Sequence, residues 1–218
     1  MANIKAHPIK EIIKNGEGLH LDFKFEISDA AKIARSLVSF ANTDGGKLLV
    51  GVKDNGVIAG IRSEEEYYMI ENAAGRFCRP EVLFQSKEWN IHGKKVLEIF
   101  IPKGKKLPYK APDKNGKYKA FVRVADENIL ACGIQIKVWN KIKYHNQINF
   151  TNSKPEKILL SLIRKDKPFT VDDFRKEIKI SKYNAELLIS DFILLKLLKI
   201  KQTTKHCLLI PVSIPAPK

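Results

Sequence analysis

The sequence predicts an α+β chain in two parts: a mixed α/β domain over residues 1–147 and a small domain of three helices and a hairpin over residues 154–218. Three observations carry this expectation. Strand-like alternation and helix-like periodicity interleave through the first part. A polar, turn-rich stretch at 146–154 (NQINFTNSK) then reads as a linker. Beyond it come capped amphipathic helices and two short strands. The composition suits burial: of 218 residues, 44% are hydrophobic and 29% charged, which excludes wholesale disorder.

Taken in order, Pro8 to Lys14 is expected to be a short helix and Asn15-Gly16 a turn. His20 to Phe25 alternates as a strand, with Leu21, Phe23 and Phe25 on one face. Ser28 is the expected cap of a helix reaching about Phe40, with Asp29 in its first turn and Ile33, Leu37 and Phe40 as its apolar stripe. Lys47 to Val52 is a strand, Asp54-Asn55-Gly56 a tight turn and Val57 to Gly60 its return. A second helix opens at Ser63 and runs to Phe77. Strands follow at Phe84–Ile91 and Lys95–Ile101, then a long basic loop from Pro102 to Gly116, then a strand at Tyr118–Val124.

In the last segment Pro155 opens a helix whose stripe is Ile158, Leu159, Leu162 and Ile163. Thr170 caps Val171–Glu177, and Ser181 caps a third helix, Lys182–Lys196, whose leucines from Leu187 onward are expected in the core. Two short strands flank Gln202-Thr203-Thr204-Lys205. Three helices and a wing make a winged helix-turn-helix, whose third helix enters the major groove in proteins of that architecture. Lys182, Tyr183 and Asn184 would then face phosphates and bases.

The formal net charge is +15, and it is localised. Residues 94–123 hold ten Lys/Arg against Glu98 and Asp113, a net +8, and residues 151–218 hold fourteen against seven, a net +7. A polyanion is therefore the expected partner, DNA or RNA, bound with a salt-dependent affinity; a solvated lysine face is the rival reading. Lys103, Lys105, Lys106, Lys110 and Arg123 are the candidate phosphate contacts of the first domain. The longest greasy stretch, Phe192 to Leu198, is broken by Lys196 and is far short of the ~20 residues of a membrane span. No signal-peptide core is visible, and Cys78, Cys132 and Cys207 are odd in number and far apart. A cytoplasmic, disulfide-free protein with no membrane partner is expected.

The five histidines, His7, His20, His92, His145 and His206, share no metal-ligand spacing. Cys78, between Arg76 and Arg79, is read as a buried structural thiol. Gly45 and Gly46 leave a helix and enter a strand, the reverse of the strand–glycine loop–helix order of a phosphate-cradling P-loop, and no GK[ST] follows.

The most specific stretch is Phe40-Ala-Asn-Thr-Asp-Gly-Gly46 followed by Gly51-Val-Lys-Asp-Asn-Gly-Val-Ile-Ala-Gly60. With Glu17, Asp22-Phe23-Lys24, Leu107-Pro108-Tyr109 and Phe121-Val122-Arg123-Val124, it resembles the Schlafen AlbA-like family, also filed as divergent AAA-like or DNA-binding domains. The resemblance covers roughly residues 8–135, and its motif residues include Lys24, Asn42, Thr43, Gly45 and Gly46. It implies a DNA-binding transcriptional regulator, of bacterial type where a winged helix is appended. In the family's nucleases, three acids bind a divalent metal and cleave structured RNA. By position these would be Glu17, Asp22 and Asp54, holding Mg²⁺ or Mn²⁺ if the chain is catalytic. The family is also labelled ATP-binding, so a nucleotide-responsive regulator is a further alternative. Schlafen cores pair two related lobes around a basic groove and this chain has one, so the resemblance implies a homodimer.

Overall fold

Proline pre-sets the backbone of a first helical turn, and Pro8 opens helix α1 (Pro8–Lys14), which buries Ile9. The computed structural model describes residues 8–145, 147, 148 and 150–212; His7 lies outside them. Strand β1 (Leu21–Lys24) runs into helix α2 (Ala30–Asn42) and then strand β2 (Gly46–Val50). The cap of α2 is Asp29, not Ser28: Asp29 is extended, and its carboxylate accepts from the Lys32 N–H at 3.1 Å. Both residue types cap well; the competition was decided one residue along.

Strands β1 and β2 pair in parallel, with Asp22 opposite Leu48, so α2 is the crossover of a β-α-β unit. The predicted second helix divides into α3 (Glu65–Asn72) and a π-helical segment, Ala73–Phe77. Strands β3 (Gln85–Ile91) and β4 (Lys94–Ile101) form an antiparallel hairpin that pairs with β2, giving the sheet order β1-β2-β4-β3. Strand β2 is central and alternates between faces, as its period of two requires. Leu48 and Val50 join the core over α2, while Leu49 joins Ile9, Leu21 and Phe23 on the other side.

The loop after β4 contains a two-residue strand, β5 (Ala111–Pro112), paired with β6 (Tyr118–Lys119). The single strand expected at 118–124 is therefore two: Ala120 separates β6 from β7 (Phe121–Val124), which pairs with β8 (Glu127–Leu130).

Two units result, Met1–Leu130 and Ala131–Lys218. The stretch expected to link the domains thus falls inside the second unit, because α4 (Gly133–Lys143) packs there. Its Ile134 and Val138 are buried in that core, Lys137 pairs with Glu186 at 2.5 Å and Lys141 with Asp191 at 2.6 Å.

Within this unit, Ser153 and Glu156 close a reciprocal cap on α5 (Lys154–Arg164), and Thr170 and Asp173 do so on α6 (Val171–Glu177). Helix α7 (Lys182–Leu194) buries Ala185, Ile189 and Phe192. The expectation that the leucines from Leu187 onward fill the core is corrected for Leu187 and Leu195, which are exposed. Strands β9 (Leu198–Gln202) and β10 (Cys207–Pro211) form an antiparallel hairpin. Cys132 and Cys207 are joined as a disulfide with their Cα atoms 6.4 Å apart, against the disulfide-free expectation. Spacing in sequence hid the pair, since the β9–β10 hairpin returns Cys207 to the cap of α4.

Candidate functional site

Asp22 is the centre of the first unit's polar core. Period-two alternation turns it to the face opposite Leu21 and Phe23, where it is only 3% exposed. A carboxylate so buried needs partners. Arg123 Nη2 donates to its Oδ1 at 3.2 Å, and Lys24 Nζ lies 3.0 Å from Oδ2 as an ion pair. That Lys24 contact is an ion pair without hydrogen-bond alignment.

Arg123 is as buried as its partner. Its Nε donates to Gly18 O, its Nη2 also to Leu21 O, and its Nη1 to Asn128 Oδ1. The guanidinium further stacks over Phe40, 5.1 Å from the ring centre. The expectation that Arg123 contacts phosphate is therefore corrected: it is 2% exposed and ties β7 to β1.

The FANT-x-GG stretch supports the same junction. Asn42 donates to both Tyr109 O and Phe121 O at 2.8 Å and accepts from Tyr109 N at 2.8 Å, so its amide uses both donors and its acceptor. Thr43 Oγ1 accepts from Arg123 N at 2.9 Å and donates to Ser39 O. Gly45 has φ +75°, and a Cβ there would sit 2.7 Å from Ile101 O; one on Gly46 would meet the Phe40 ring. The N–H groups of Gly45 and Lys47 are spent on Phe40 O and His20 O. These glycines let α2, β2 and β4 approach, and those two N–H groups are not free to cradle a phosphate.

Glu17 lies beside Asp22 and accepts from Phe23 N at 2.7 Å. Burial, then a hydrogen bond with Asp22, pushes its carboxyl above the usual range. Asp54 is elsewhere, exposed in the Lys53–Gly56 turn. The structure thus brings Glu17 and Asp22 together and leaves Asp54 apart. Among the described residues no group of three His, Cys, Asp or Glu side chains could hold a metal ion. With Asp22 already compensated by Arg123 and Lys24, the residues present do not fit the three-acid Mg²⁺ or Mn²⁺ centre.

The lysine loop is solvent-facing. Lys103 pairs with Asp44 at 2.9 Å, while Lys105, Lys106 and Lys110 are exposed and make no ion pair among the described residues.

A family model for Schlafen, AlbA_2 matches residues 17–131, more than half of the chain. The chain belongs to this family. Two solved structures are also similar. The crystal structure of the DIP2311 protein from Corynebacterium diphtheriae aligns over 74% of this chain at 19% identity, with a TM-score of 0.44. The chain covers 36% of that protein's length. The N-terminal domain of a protein described as ATP-dependent DNA helicase RecG-related, from Nitrosomonas europaea, aligns over 57% of this chain and 90% of its own at 19% identity, with a TM-score of 0.36. No curated protein matches the sequence.

In this Schlafen AlbA_2 chain the matched segment ends one residue past the first unit. Beyond it, Lys182, Tyr183 and Asn184 occupy the exposed first turn of α7, with Lys137 Nζ 4.7 Å from the Tyr183 ring centre. Cys78 is buried, and burial pushes its thiol up to about 12, so it is an inert structural residue. Sequence reasoning passed over Lys32, Arg35 and Lys114, which share a groove with Asp22 and Lys24. The only signal for the first two is their i, i+3 spacing on α2, opposite its apolar stripe, and any solvated helix face carries such a pattern.

Proposed function

We propose that this chain is a nucleic-acid-binding protein, acting as a DNA-binding transcriptional regulator, with the second unit serving as a winged helix. The observation that carries the reading is the uncompensated lysine run of the 102–116 loop. Lys105, Lys106 and Lys110 stand in solvent without carboxylate partners among the described residues, a surface suited to releasing counterions from a phosphate backbone. Membership of the Schlafen AlbA_2 family supports it. So does the α6–α7 pair, whose second helix offers Lys182, Tyr183 and Asn184 at its exposed start and is followed by a hairpin bearing exposed Lys199, Lys201 and Lys205. A homodimer would give each protein two such surfaces.

The test is fluorescence anisotropy of labelled duplex and single-stranded oligonucleotides across a salt series, with the triple variant Lys105→Ala, Lys106→Ala, Lys110→Ala. Tight binding whose salt slope falls by about 3 in the variant supports the reading, about one unit per lost phosphate contact. Equal affinity and slope in both proteins would place the lysines in an idle solvated face.

A further inference from the structure

The first unit holds a cleft of about 380 Å³ that the lysine loop does not account for. Its walls carry Lys24 of β1, Lys32 and Arg35 of α2 and Lys114 of the loop before β6; Asp22 and Arg123 lie on its lining, with Asp113 and Asp126. Of these cations only Lys24 is paired with an acid among the described residues. Asp22 is held by Arg123 and Lys24. Asp113 is bonded to the N–H groups of Asn115 and Lys117 in its own turn, and those bonds hold its carboxyl below the usual range. That leaves Asp126 facing three cations.

Arg35 is the decisive residue. It is half-buried, yet its guanidinium donates to no acceptor and joins no ion pair among the described residues; the Lys32 and Lys114 ammonium groups are likewise uncommitted. A planar fork of five donors, partly withdrawn from water and without a partner, is costly unless an anion completes it. At the back of the same cleft Asp22 is buried and already held by Arg123 and Lys24, so what the cleft offers a ligand is its cations. A ligand seated there meets three open donors.

We infer that this cleft is a phosphate-ester site, with Arg35 as its bidentate donor and Lys32 and Lys114 as flanking charges. The ligand is a phosphate ester. Its source is either the backbone of a nucleic acid or a free nucleotide. The first source rests on the function proposed above and moves its sequence-independent grip from the loop tip into the cleft; the second does not depend on that reading. Arg35 and Lys32 lie on a regular helix, so they are better ordered for contact than lysines on a loop.

The experiment uses the full chain with Arg35→Gln and Lys114→Ala. Oligonucleotide anisotropy across a salt series is measured alongside ¹⁵N NMR of the Arg35 side chain titrated with adenosine monophosphate and with inorganic phosphate. Circular dichroism checks that Arg35→Gln, which removes no hydrogen bond, keeps the fold. A drop of about tenfold in oligonucleotide affinity for each variant, with the salt slope reduced by about 1, supports a backbone phosphate. A shift of the Arg35 signals with the mononucleotide, without oligonucleotide binding by the unaltered protein, supports a free nucleotide and removes the nucleic-acid reading while the site stands. Unchanged affinity and slope in both variants, with loss only in the Lys105/Lys106/Lys110 protein, overturns the cleft and leaves that reading intact. No response of Arg35 to any probe overturns the site outright.

Discussion

Arg123 shows how far a residue's type can mislead about its work. In sequence it closes a basic run; in the fold it is the counter-charge of a buried carboxylate and the clasp between β1 and β7. Removing Arg123 leaves the buried Asp22 with Lys24 alone, so Arg123→Met should destabilise the first unit by about 3 kcal/mol. Arg123→Lys should recover only part of this, since an ammonium cannot reach Gly18 O, Leu21 O, Asp22 and Asn128 together. Urea unfolding measures both; a midpoint unchanged in Arg123→Met would show that Asp22 is not held by this pair. Asn42 belongs to the same class, its importance lying in two carbonyls and one N–H that no other short side chain satisfies at once.

At the level of elements, much was legible. The extents of β2, β4, α6 and the β9–β10 hairpin follow from alternation, caps and turns, which are local signals. What escaped depended on distant neighbours. Ala120 breaks a strand because β6 and β7 serve different partners, and α7 buries Ala185, Ile189 and Phe192 rather than Leu187 because α4 takes its adjoining face. The candidate site was legible as a motif but not as an arrangement: the spacing of Glu17, Asp22 and Asp54 does not reveal that Asp54 stays in its turn. The cap of α6 yields a pH prediction. Hydrogen bonds from Thr170, then Lys176, hold the Asp173 carboxyl down at about 2. The stabilisation is complete above the ordinary carboxylate range and is lost as pH falls through about 2. Thr170→Ala should cost the second unit about 1 kcal/mol at pH 7 and flatten the loss of its stability between pH 4 and pH 2. An acid limb as steep as that of the unaltered protein would show that the cap is not its source.

Over the whole molecule, the net charge of +15 is spread across two units that hold themselves together differently. The second closes a 75-residue separation with the Cys132–Cys207 bond, a tether that limits its unfolded chain by about 4 kcal/mol on loop-entropy grounds. Cys207→Ser, or reductant added to the unaltered protein, should lower the urea midpoint of this unit and spare the first; identical midpoints with and without reductant would remove the tether from its stability. The first unit depends instead on contacts between its ends, Asp22 meeting Arg123 across 101 residues. A chain emerging from the ribosome has β1, α2 and β2 early, but Asp22 receives its guanidinium only once β7 has been made. Until then the β-α-β half has Lys24 alone to offset the carboxylate in its face, so the unit's polar core can close only after the chain has been made as far as β7.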